Sequence, residues 1–523
     1  MRIPAGRWDG LSSPWWRGLA AVVLGALPAL SFPAPSLWWF AYVALVPWML
    51  LIRSAPTGRR AALDGWLGAT GFMIAVHHWL MPSLHVFIVV LAALLALLWL
   101  PWGWLVRSML GGTPSVRRAT AALAVVPSGW LMAELVRSWQ GLGGPWGLLG
   151  SSQWEVAPAL RLASVGGVWL VSLLVVAVNT GVVVVVGVPA ARRPVVAALA
   201  ACAVAAVAVW AWAPRPEEAG RARVGVVQPG VVNGPERRFA LSEELTRDLA
   251  GQDLDLVVWG ESSVGADLTE RPDLAARLVT LSGLVDADVL VNVDARRADR
   301  PGIFKSSVLV DPEGVTNRRY DKMRLVPFGE YVPARSVLGW ATSVGKAAGE
   351  DRRRGTNPVV MPLSGGLRVG PLVCFESAFP DMSRELTRRG AQVLVTQSAT
   401  STFQNSWAPE QHASLAALRA AETGRPVVHA TLTGVSAVFG PGGERVGPPL
   451  GTDASASAVY DVPLAGGTTV YARAGDWAVH GALAVLALLG AAAGVRALRR
   501  PAAPRPPERS ARTARASAAR PGR

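Results

Sequence analysis

The residues of this chain that could carry chemistry are a glutamate, a lysine and a cysteine in its central part. Glu261 follows the apolar run Val-Val-Trp-Gly, Lys322 follows Tyr-Asp, and Cys374 lies in Val-Cys-Phe-Glu. A thiol attacks a carbonyl group when a nearby base takes its proton and donors stabilise the oxyanion that forms. A carboxylate and an ammonium group can supply these two functions. The three residue types together therefore suggest nucleophilic acyl chemistry.

Each of these residues also has an ordinary structural interpretation when it is taken alone. Cys374 at a strand end is typical of a buried core thiol, Glu261 of an exposed carboxylate at a helix start, and Lys322 of a solvated loop. Two features favour a site instead. The acidic Glu376 closely follows Cys374, and the segment after Lys322 is apolar and rich in proline, which is typical of a fixed loop.

The cysteine and histidine content argues against a metal centre and against a disulfide framework. The chain has 2 Cys and 6 His. Cys202 lies inside an apolar run, far along the chain from Cys374, and the adjacent His77 and His78 belong to no His-Glu-x-x-His pattern. We therefore predict no metal and no cofactor.

The composition indicates a membrane protein with more than one domain. The chain has 523 residues, of which 51% are apolar, and it contains 22 Trp. A membrane-spanning helix needs about 20 consecutive, mostly apolar residues. Candidate runs lie at 15–33, 38–53, 63–81, 85–106, 119–139, 161–188, 194–213 and 477–498. We therefore predict a membrane α-helical bundle of about eight transmembrane helices.

Basic residues in the loops predict the orientation of this bundle. Lys and Arg are retained on the cytoplasmic side of spanning helices, and every second predicted loop is basic. The residues concerned are Arg2, Arg7, Arg17, Arg53, Arg59, Arg60, Arg107, Arg117, Arg118, Arg192 and Arg193. Both termini are then cytoplasmic, and residues 214–476 lie outside. These loops and the basic tail account for much of the net charge of +15, so we predict no nucleic-acid partner.

The residues between the seventh and the last apolar run have a different pattern. They contain charged residues, turn pairs and short β-rich runs at 224–228, 256–259, 289–293, 308–310, 367–374 and 393–396. This pattern predicts a folded α/β domain. The predicted domains are a seven-helix membrane segment at 1–213, the α/β domain at 214–476, a final span at 477–498 and a basic disordered tail at 499–523.

The three candidate residues lie in motifs that resemble a known catalytic triad. Glu261 after a strand, Lys322 before Leu-Val-Pro-Phe-Gly-Glu and Cys374 in Cys-Phe-Glu are similar to the Glu-Lys-Cys triad of the carbon–nitrogen hydrolase (nitrilase) superfamily. The apolar segments resemble one branch of it, the apolipoprotein N-acyltransferases. The similar motifs are Ser31-Phe32-Pro33, Leu45-Val46-Pro47, Gly144-Pro145-Trp146, Ser152-Gln153 and the run from Tyr471 to Trp477. The resemblance covers nearly the whole chain except the tail.

This resemblance implies both a fold and a reaction. The fold is a nitrilase-like αββα sandwich outside the cytoplasm, mounted on helices in the bacterial inner membrane. Cys374 would attack an ester of a membrane phospholipid with Glu261 as the base, while Lys322 and a backbone N–H near Phe375 would stabilise the oxyanion. The resulting thioester would pass its acyl chain to the α-amine of a diacylglyceryl apolipoprotein. The phospholipid and the apolipoprotein are thus the expected partners, and no cofactor takes part.

The resemblance also assigns supporting residues around the triad. Glu330 and Glu376 match acidic positions that would orient Lys322 and organise the pocket. As an alternative, both are ordinary surface or capping carboxylates. A group of aromatic residues would line the acyl or lipid pocket, or would only pack. These residues are Phe328, Tyr331, Phe375 and Phe403.

One segment departs from the pattern of the family that the chain resembles. Residues 397–403 read Gln-Ser-Ala-Thr-Ser-Thr-Phe, whereas many family members have Asn-Asp-Ala-Trp-Phe-Gly after the same strand. The departure bears on the shape of the lipid-facing loop and hence on the choice of acyl donor.

Three other functions are compatible with parts of the sequence. In a membrane-anchored amidase, water would attack the thioester, but the many spans argue against a small soluble substrate. A non-catalytic scaffold for a polyprenol-phosphate mannosyltransferase, suggested by actinobacterial relatives, would not need all three triad residues. A transporter would need polar or charged groups within several spans, and Glu134, His77 and His78 are the few candidates for such groups. The high Ala, Gly and Arg content is typical of a high-GC, actinobacterial source.

Overall fold

The protein combines a helical part with two β-sheets. The computed structural model describes residues 13–339 and 348–499. Arg2, Arg7 and the predicted tail from residue 500 onward lie outside the described residues. Helices precede and follow the two sheets along the chain, each of which has six strands.

The part before the sheets consists of helices joined by short turns. They are α1 (Pro14–Ala26), α2 (Val46–Arg53), α3 (Gly58–His77), α4 (Met81–Leu84), α5 (Phe87–Ala96), α6 (Leu100–Leu110), α7 (Val116–Arg137), α8 (Ala157–Gly187) and α9 (Arg192–Trp212). Helix α8 changes direction at Gly167, which has a φ of 69°. The aromatic ring of Tyr471 lies where a Cβ at this glycine would be. The bend therefore lies where α8 contacts the segment that follows the sheets.

Five helical stretches of the described chain are long and apolar enough to cross a membrane. They are Phe87–Leu110, Val116–Arg137, Ala157–Gly187, Pro189–Trp212 and Trp477–Leu498. The other three predicted runs also coincide with helices, but α1 has only 13 residues, α2 is short, and α3 carries Asp64. The predicted membrane helical bundle is therefore confirmed, and the number of about eight spans stays a prediction.

Tryptophan side chains fill the centre of the helical part. Trp48, Trp99, Trp102 and Trp130 are all buried. The ring centroids of Trp48 and Trp102 are 4.9 Å apart, and those of Trp102 and Trp130 are 5.1 Å apart. A Cβ at Gly68 would lie 2.1 Å from the Trp48 ring, so only glycine allows α3 to approach it. Close packing of large rings against small residues is how helices associate in lipid.

The α/β part contains two six-stranded sheets. The strands are β1 (Glu217–Gln228), β2 (Leu256–Trp259), β3 (Asp288–Arg296), β4 (Ile303–Asp311), β5 (Gly314–Asp321), β6 (Met361–Pro362), β7 (Arg368–Val373), β8 (Val393–Ser398), β9 (Val427–Thr431), β10 (Ser436–Phe439), β11 (Arg445–Leu450) and β12 (Ala456–Gly466). Their orders are β12-β1-β2-β3-β4-β5 and β11-β10-β9-β8-β7-β6. Every predicted β-rich run overlaps one of these strands.

Helices cover the outer faces of the two stacked sheets. The remaining helices of the described chain are α10 (Pro235–Arg247), α11 (Pro272–Val285), α12 (Arg335–Leu338), α13 (Pro380–Arg388), α14 (Ala408–Thr423), α15 (Val470–Ala474) and α16 (Trp477–Leu498). Apolar side chains of both sheets form one core between them. Helices α10 and α11 pack on the first sheet, and α13 and α14 pack on the second. This arrangement is the predicted αββα sandwich.

The second sheet faces the membrane helices through α13 and α14. Leu386 of α13 and Leu418 of α14 belong to the same apolar cluster as Trp48 and Val176 of the helical part. Apolar contacts among the described residues run without a break from the second sheet into the helical part. The α/β part is therefore held against the bundle on its α13–α14 side.

Candidate active site

The three predicted triad residues lie at the carboxyl ends of three strands. Glu261 follows β2, Lys322 follows β5 and Cys374 follows β7. The strands β2 and β5 belong to one sheet and β7 to the other. Because the two sheets are stacked face to face, the ends of these strands meet at one edge of the sandwich. The structure thus brings together residues that are more than 50 positions apart.

The polar atoms of these residues are in direct contact. Lys322 Nζ lies 3.2 Å from Glu261 Oε1 and 2.7 Å from Glu330 Oε1. The Cys374 thiol lies beside the Glu261 carboxylate and helps to lower the pKa of that carboxylate. Glu261 and Lys322 are buried, while Cys374 is partly accessible. A base, an ammonium group and a thiol therefore share one small site.

The backbone at Cys374 directs its thiol out of the sheet. Its φ is 52°, a left-handed conformation that is unfavourable for residues with a Cβ, and a short 3-10 helix begins here. The carbonyl oxygen of Cys374 accepts the Ser377 hydroxyl at 3.0 Å and lies 3.1 Å from His412 Nε2. Burial lowers the pKa of His412 to about 4, so its ring is neutral near pH 7 and supports the turn.

The charges of the site follow from its contacts. Burial disfavours the charged form of Glu261, but the ammonium groups of Lys305 and Lys322 outweigh burial and lower its pKa to about 2. Burial and the charge of Glu261 raise the pKa of Cys374 to about 12. The charges of Glu261 and Glu330 outweigh burial at Lys322 and raise its pKa. The resting site therefore holds a neutral thiol beside an ionised carboxylate and an ammonium group.

The two predicted supporting glutamates occupy different places. Glu330 contacts Lys322 directly, as expected for a residue that orients it. Glu376 has no described hydrogen bond to Lys322 and instead accepts hydrogen bonds of 2.7–3.0 Å from the chain on both sides of the site. Its donors are the Tyr320 hydroxyl and the N–H groups of Val373, Met323 and Arg324. Glu376 therefore ties the Lys322 loop to the strand end before Cys374.

The predicted pocket aromatics form two groups. Phe328 and Tyr331 lie in the loop that carries Glu330, where the Phe328 N–H donates to the Tyr331 carbonyl at 2.7 Å. The ring centroids of Phe375 and Phe379 are 4.9 Å apart, and both rings contact Gly144 of the helical part. Phe403 lies 4.9 Å from the Trp79 ring. Two of the four therefore contact the helical part. Among the described residues, no group of three or more His, Cys, Asp or Glu could hold a metal.

Comparison with known proteins identifies both parts of the chain. Residues 24–181 match the apolipoprotein N-acyltransferase N-terminal domain, and residues 223–470 match the carbon–nitrogen hydrolase family. A relative from Azotobacter vinelandii named apolipoprotein N-acyltransferase is 33% identical over 519 residues, covering 92% of this chain and 96% of the relative. The chain belongs to the apolipoprotein N-acyltransferase family.

A second relative has the same name, and one solved structure is a more distant match. A Geobacter metallireducens apolipoprotein N-acyltransferase is 29% identical over 503 residues, covering 90% of this chain and 94% of that protein. An amidase from Nesterenkonia has 19% identity and a TM-score of 0.34, over 47% of this chain and 92% of the amidase. As a member of the apolipoprotein N-acyltransferase family, the chain is a bacterial inner-membrane enzyme with a carbon–nitrogen hydrolase domain. Its actinobacterial source stays a prediction.

Sequence reasoning missed a second lysine in this apolipoprotein N-acyltransferase site. Lys305 lies on β4, and its Nζ is 2.8 Å from Glu261 Oε1 and 3.1 Å from Glu330 Oε1. The sequence does contain a feature that indicates this residue. Lys305 is the charged residue in a run of apolar and small residues, Ile-Phe-Lys-Ser-Ser-Val-Leu-Val. Lysine in a buried strand needs an acidic partner.

The segment that departs from the apolipoprotein N-acyltransferase pattern begins behind the site. The Gln397 amide donates to the Trp259 carbonyl at 2.8 Å and accepts the Ser307 hydroxyl at 2.5 Å, so it joins the two sheets. The carbonyl of Ser398 accepts the Glu261 N–H at 3.1 Å. The first residues of this segment therefore support Glu261 from within the sandwich.

The end of the same segment lines a groove at the boundary with the helical part. The groove has a volume of about 610 Å³ and lies between residues 401–407 and the chain after α3. On that side its lining residues are His78, Trp79, Met81, Pro82 and His85. Beside it, Gln411 Oε1 accepts the indole N–H groups of Trp146 at 2.8 Å and Trp79 at 3.1 Å. Phe403 thus lies in a mixed apolar and polar groove between the two parts.

Proposed function

We propose that this chain transfers a fatty acyl group from a membrane phospholipid to the α-amine of the N-terminal diacylglyceryl-cysteine of apolipoproteins. The acyl group is carried as a thioester on Cys374. The observation that carries the proposal is the contact of Glu261, Lys322 and Cys374 at one edge of a sandwich that is packed on membrane helices. Family membership supports the same substrates, because the relatives are named for this activity.

In the first half of the proposed reaction, Cys374 is acylated. The sulfur attacks the ester carbonyl of the phospholipid while Glu261 takes the thiol proton. Because the thiol is neutral at rest, its proton leaves as the S–C bond forms. Lys322 stabilises the oxyanion together with a backbone N–H near Phe375. The C–O bond then breaks, and the lysophospholipid leaves as an alcohol with the proton from Glu261.

In the second half, the free amine of the lipoprotein attacks the thioester. Glu261 takes the amine proton as the N–C bond forms, and Lys322 again stabilises the oxyanion. The C–S bond breaks, and the proton passes from Glu261 to the sulfur of Cys374. The product is an amide, and the site returns to its starting charges. Water must be excluded during this step, because it would convert the thioester to a free fatty acid.

The position of the site suits substrates that stay in the membrane. Gln411, which accepts the indole N–H of Trp79 beside the groove, and Phe375, next to the nucleophile, both contact the helical part. A phospholipid can therefore present its ester without leaving the bilayer. The proposal includes the predicted topology, with the domain at 214–476 on the outer face, the spans at 1–213 and 477–498, and cytoplasmic termini with the tail at 499–523.

The alternative functions have less support. An amidase would use the same triad, but its substrates would not require the large helical part. A scaffold for a polyprenol-phosphate mannosyltransferase would not require a buried, charge-balanced site at Cys374. The mannosyltransferase therefore stays outside the proposal.

Intact-mass spectrometry tests the first half of the reaction. Purified protein in mixed micelles that contain phosphatidylethanolamine and phosphatidylglycerol is expected to gain the mass of one fatty acyl group. The gain should persist in Cys202→Ala, the matched cysteine control, and disappear in Cys374→Ala. Glu261→Gln should slow it by roughly 100- to 10,000-fold, which is the usual contribution of a general base. No gain in a folded sample would contradict the proposal and favour the scaffold.

The second half is tested with a synthetic diacylglyceryl-cysteine peptide. A peptide with a free α-amine should discharge the thioester and gain one acyl group. The matched N-acetylated peptide should gain none. Release of free fatty acid at equal rates with both peptides would favour the amidase and contradict transfer to an amine.

A further inference from the structure

Lys305 adds a second ammonium group to the site. Its Nζ lies 2.8 Å from Glu261 Oε1, 3.1 Å from Glu330 Oε1 and 3.8 Å from Asp294 Oδ2. Lys322 contacts the same two glutamate oxygens at 3.2 and 2.7 Å. Two carboxylate oxygens thus lie between two ammonium groups. The Cys374 thiol lies beside the same Glu261 carboxylate.

The charge balance of this cluster requires both lysines. Glu261 and Glu330 each contact the same two ammonium groups, so they repel one another across a short distance in a buried site. With Lys322 alone, two carboxylates would share one cation, and one of them would take up a proton. Lys305 supplies the second positive charge. Both carboxylates can then stay ionised together.

The fold gives Lys305 a fixed position. It is paired with Asp294 in the register between β3 and β4. Its carbonyl oxygen accepts the N–H of Lys322 at 2.8 Å, so the backbone of one lysine holds the backbone of the other. Asp294 also lies 3.4 Å from Arg352, and this guanidinium partly neutralises the carboxylate. Asp294 therefore attracts the ammonium group of Lys305 less strongly. The ammonium group of Lys305 is therefore aimed at the two glutamates.

The charged and titratable groups around Glu261 in the described part of the chain come from several elements. Apart from Lys305, those nearest come from the ends of β3, β5 and β7, from the loop after β5 and from α14. They are Asp294, Lys322, Cys374, Glu330 and His412. Farther out, Arg352 lies 3.4 Å from Asp294, and Arg238 of α10 donates to the Ser262 carbonyl at 2.9 Å. His412 is neutral near pH 7, because burial lowers its pKa to about 4. The lysines are thus the cations that reach Glu261.

We infer that Lys305 is a positioning residue that keeps Glu261 ionised and fixes its Oε1, so that the base is ready for the Cys374 proton over a wide pH range. The inference rests on the proposed function and deepens it, because it assigns the pH behaviour of the same site. Removal of the Lys305 charge raises the pKa of Glu261. As the pH falls, Glu261 is then protonated, and inactive as a base, at a higher pH than in the wild type.

The test is the pH dependence of thioester formation without an acceptor, measured in single turnovers with the same mixed micelles. Wild-type protein is expected to show no acidic limb down to about pH 4, since the pKa of Glu261 is about 2. Lys305→Gln and Lys305→Asn should show an acidic limb within this window, at about pH 4–5, which is an upward shift of about 2–3 pH units. Lys305→Arg keeps the positive charge, so its pH profile should be closer to that of the wild type.

The matched control is Arg296→Gln, which removes a positive charge from the exposed end of the neighbouring strand β3. Its pH profile should equal that of the wild type. The inference is overturned if the neutral variants and the wild type have superimposable profiles. It is also overturned if both neutral variants lose the cooperative thermal unfolding of the wild type, because Lys305 is then a folding residue. Failure of the proposed function is distinct, since the wild type itself would form no thioester at any pH.

Discussion

Two fully buried glutamates of this chain have opposite charge behaviour. Glu261 in the candidate active site has a pKa lowered to about 2, because two ammonium groups outweigh its burial. Glu422 on α14, at the boundary with the helical part, has a pKa raised to about 7 by burial. One guanidinium, that of Arg419, lies 2.8 Å from Glu422 and only partly offsets the burial, as does the N–H of Val168 at 2.7 Å.

The comparison shows what decides the charge of a buried carboxylate here. Burial alone favours the neutral form at both sites, and the number of cations in contact determines the outcome. The nearby carboxylate of Asp476 further raises the pKa of Glu422. The candidate active site therefore maintains a fixed negative charge, whereas the boundary between the two parts can take up a proton near neutral pH.

Removal of Arg419 should have the largest effect at the boundary between the two parts. Arg419→Met leaves Glu422 without its cation and also removes the donor to the Ala378 carbonyl at 2.8 Å. We expect a loss of about 3–5 kcal/mol in the free energy of unfolding at a pH above 7. The measurement is denaturant unfolding in detergent, followed by tryptophan fluorescence.

The loss in Arg419→Met should be smaller at acidic pH, because Glu422 is then protonated and needs no cation. The control is the double variant with Glu422→Gln, which has no buried charge to pair. It should recover part of the lost stability. Equal losses at about pH 5 and about pH 8 would show that the guanidinium acts through packing rather than charge.

The raised pKa of Glu422 leads to a prediction of how the free energy of unfolding changes with pH. Its pKa is raised from 4.5 in the unfolded chain to about 7 in the folded protein. The folded state therefore binds the extra proton, so this stabilisation is fully present below about pH 4.5 and is lost as the pH rises to about 7. A shift of this size corresponds to about 3 kcal/mol.

The matched variant for this prediction is Glu422→Gln, which keeps the shape of the side chain and cannot titrate. The wild type should lose stability relative to Glu422→Gln between about pH 5 and about pH 8, by an amount close to the predicted one. A constant difference between the two proteins over this range would contradict the raised pKa.

The sequence predicted the triad but not the charge of its environment. Glu261, Lys322 and Cys374 lie in motifs whose residue types and order are recognisable without a structure. Lys305 lies alone on β4, and its partners come from two other segments of the chain. Its role therefore depends on the pairing of β3, β4 and β5, which no local pattern specifies.

The same distinction applies to the fold. Buried central strands such as β2 and β8 form continuous apolar runs and were predicted, whereas β5, β6 and β9 to β12 were not. β5 and β12 are edge strands with polar residues, and their pattern is close to that of a loop. β9 and β10 are fully buried, but they have only 5 and 4 residues. The burial of Glu422 was also not predictable, because it depends on the packing of α14 against α8, which is distant along the chain.

The same boundary also contains an uncharged contact that is buried between the two parts. Gln411, also on α14, accepts the indole N–H groups of Trp79 and Trp146 with its Oε1. In Gln411→Leu the leucine fills a similar volume but leaves both donors without this acceptor, which should cost about 1–3 kcal/mol of unfolding free energy. No ionisable group is involved, so the loss should be the same at about pH 5 and about pH 8. A pH-dependent loss would mean that any disturbance of the boundary reports on Glu422, and the dependence seen in Arg419→Met could then no longer be assigned to that ion pair.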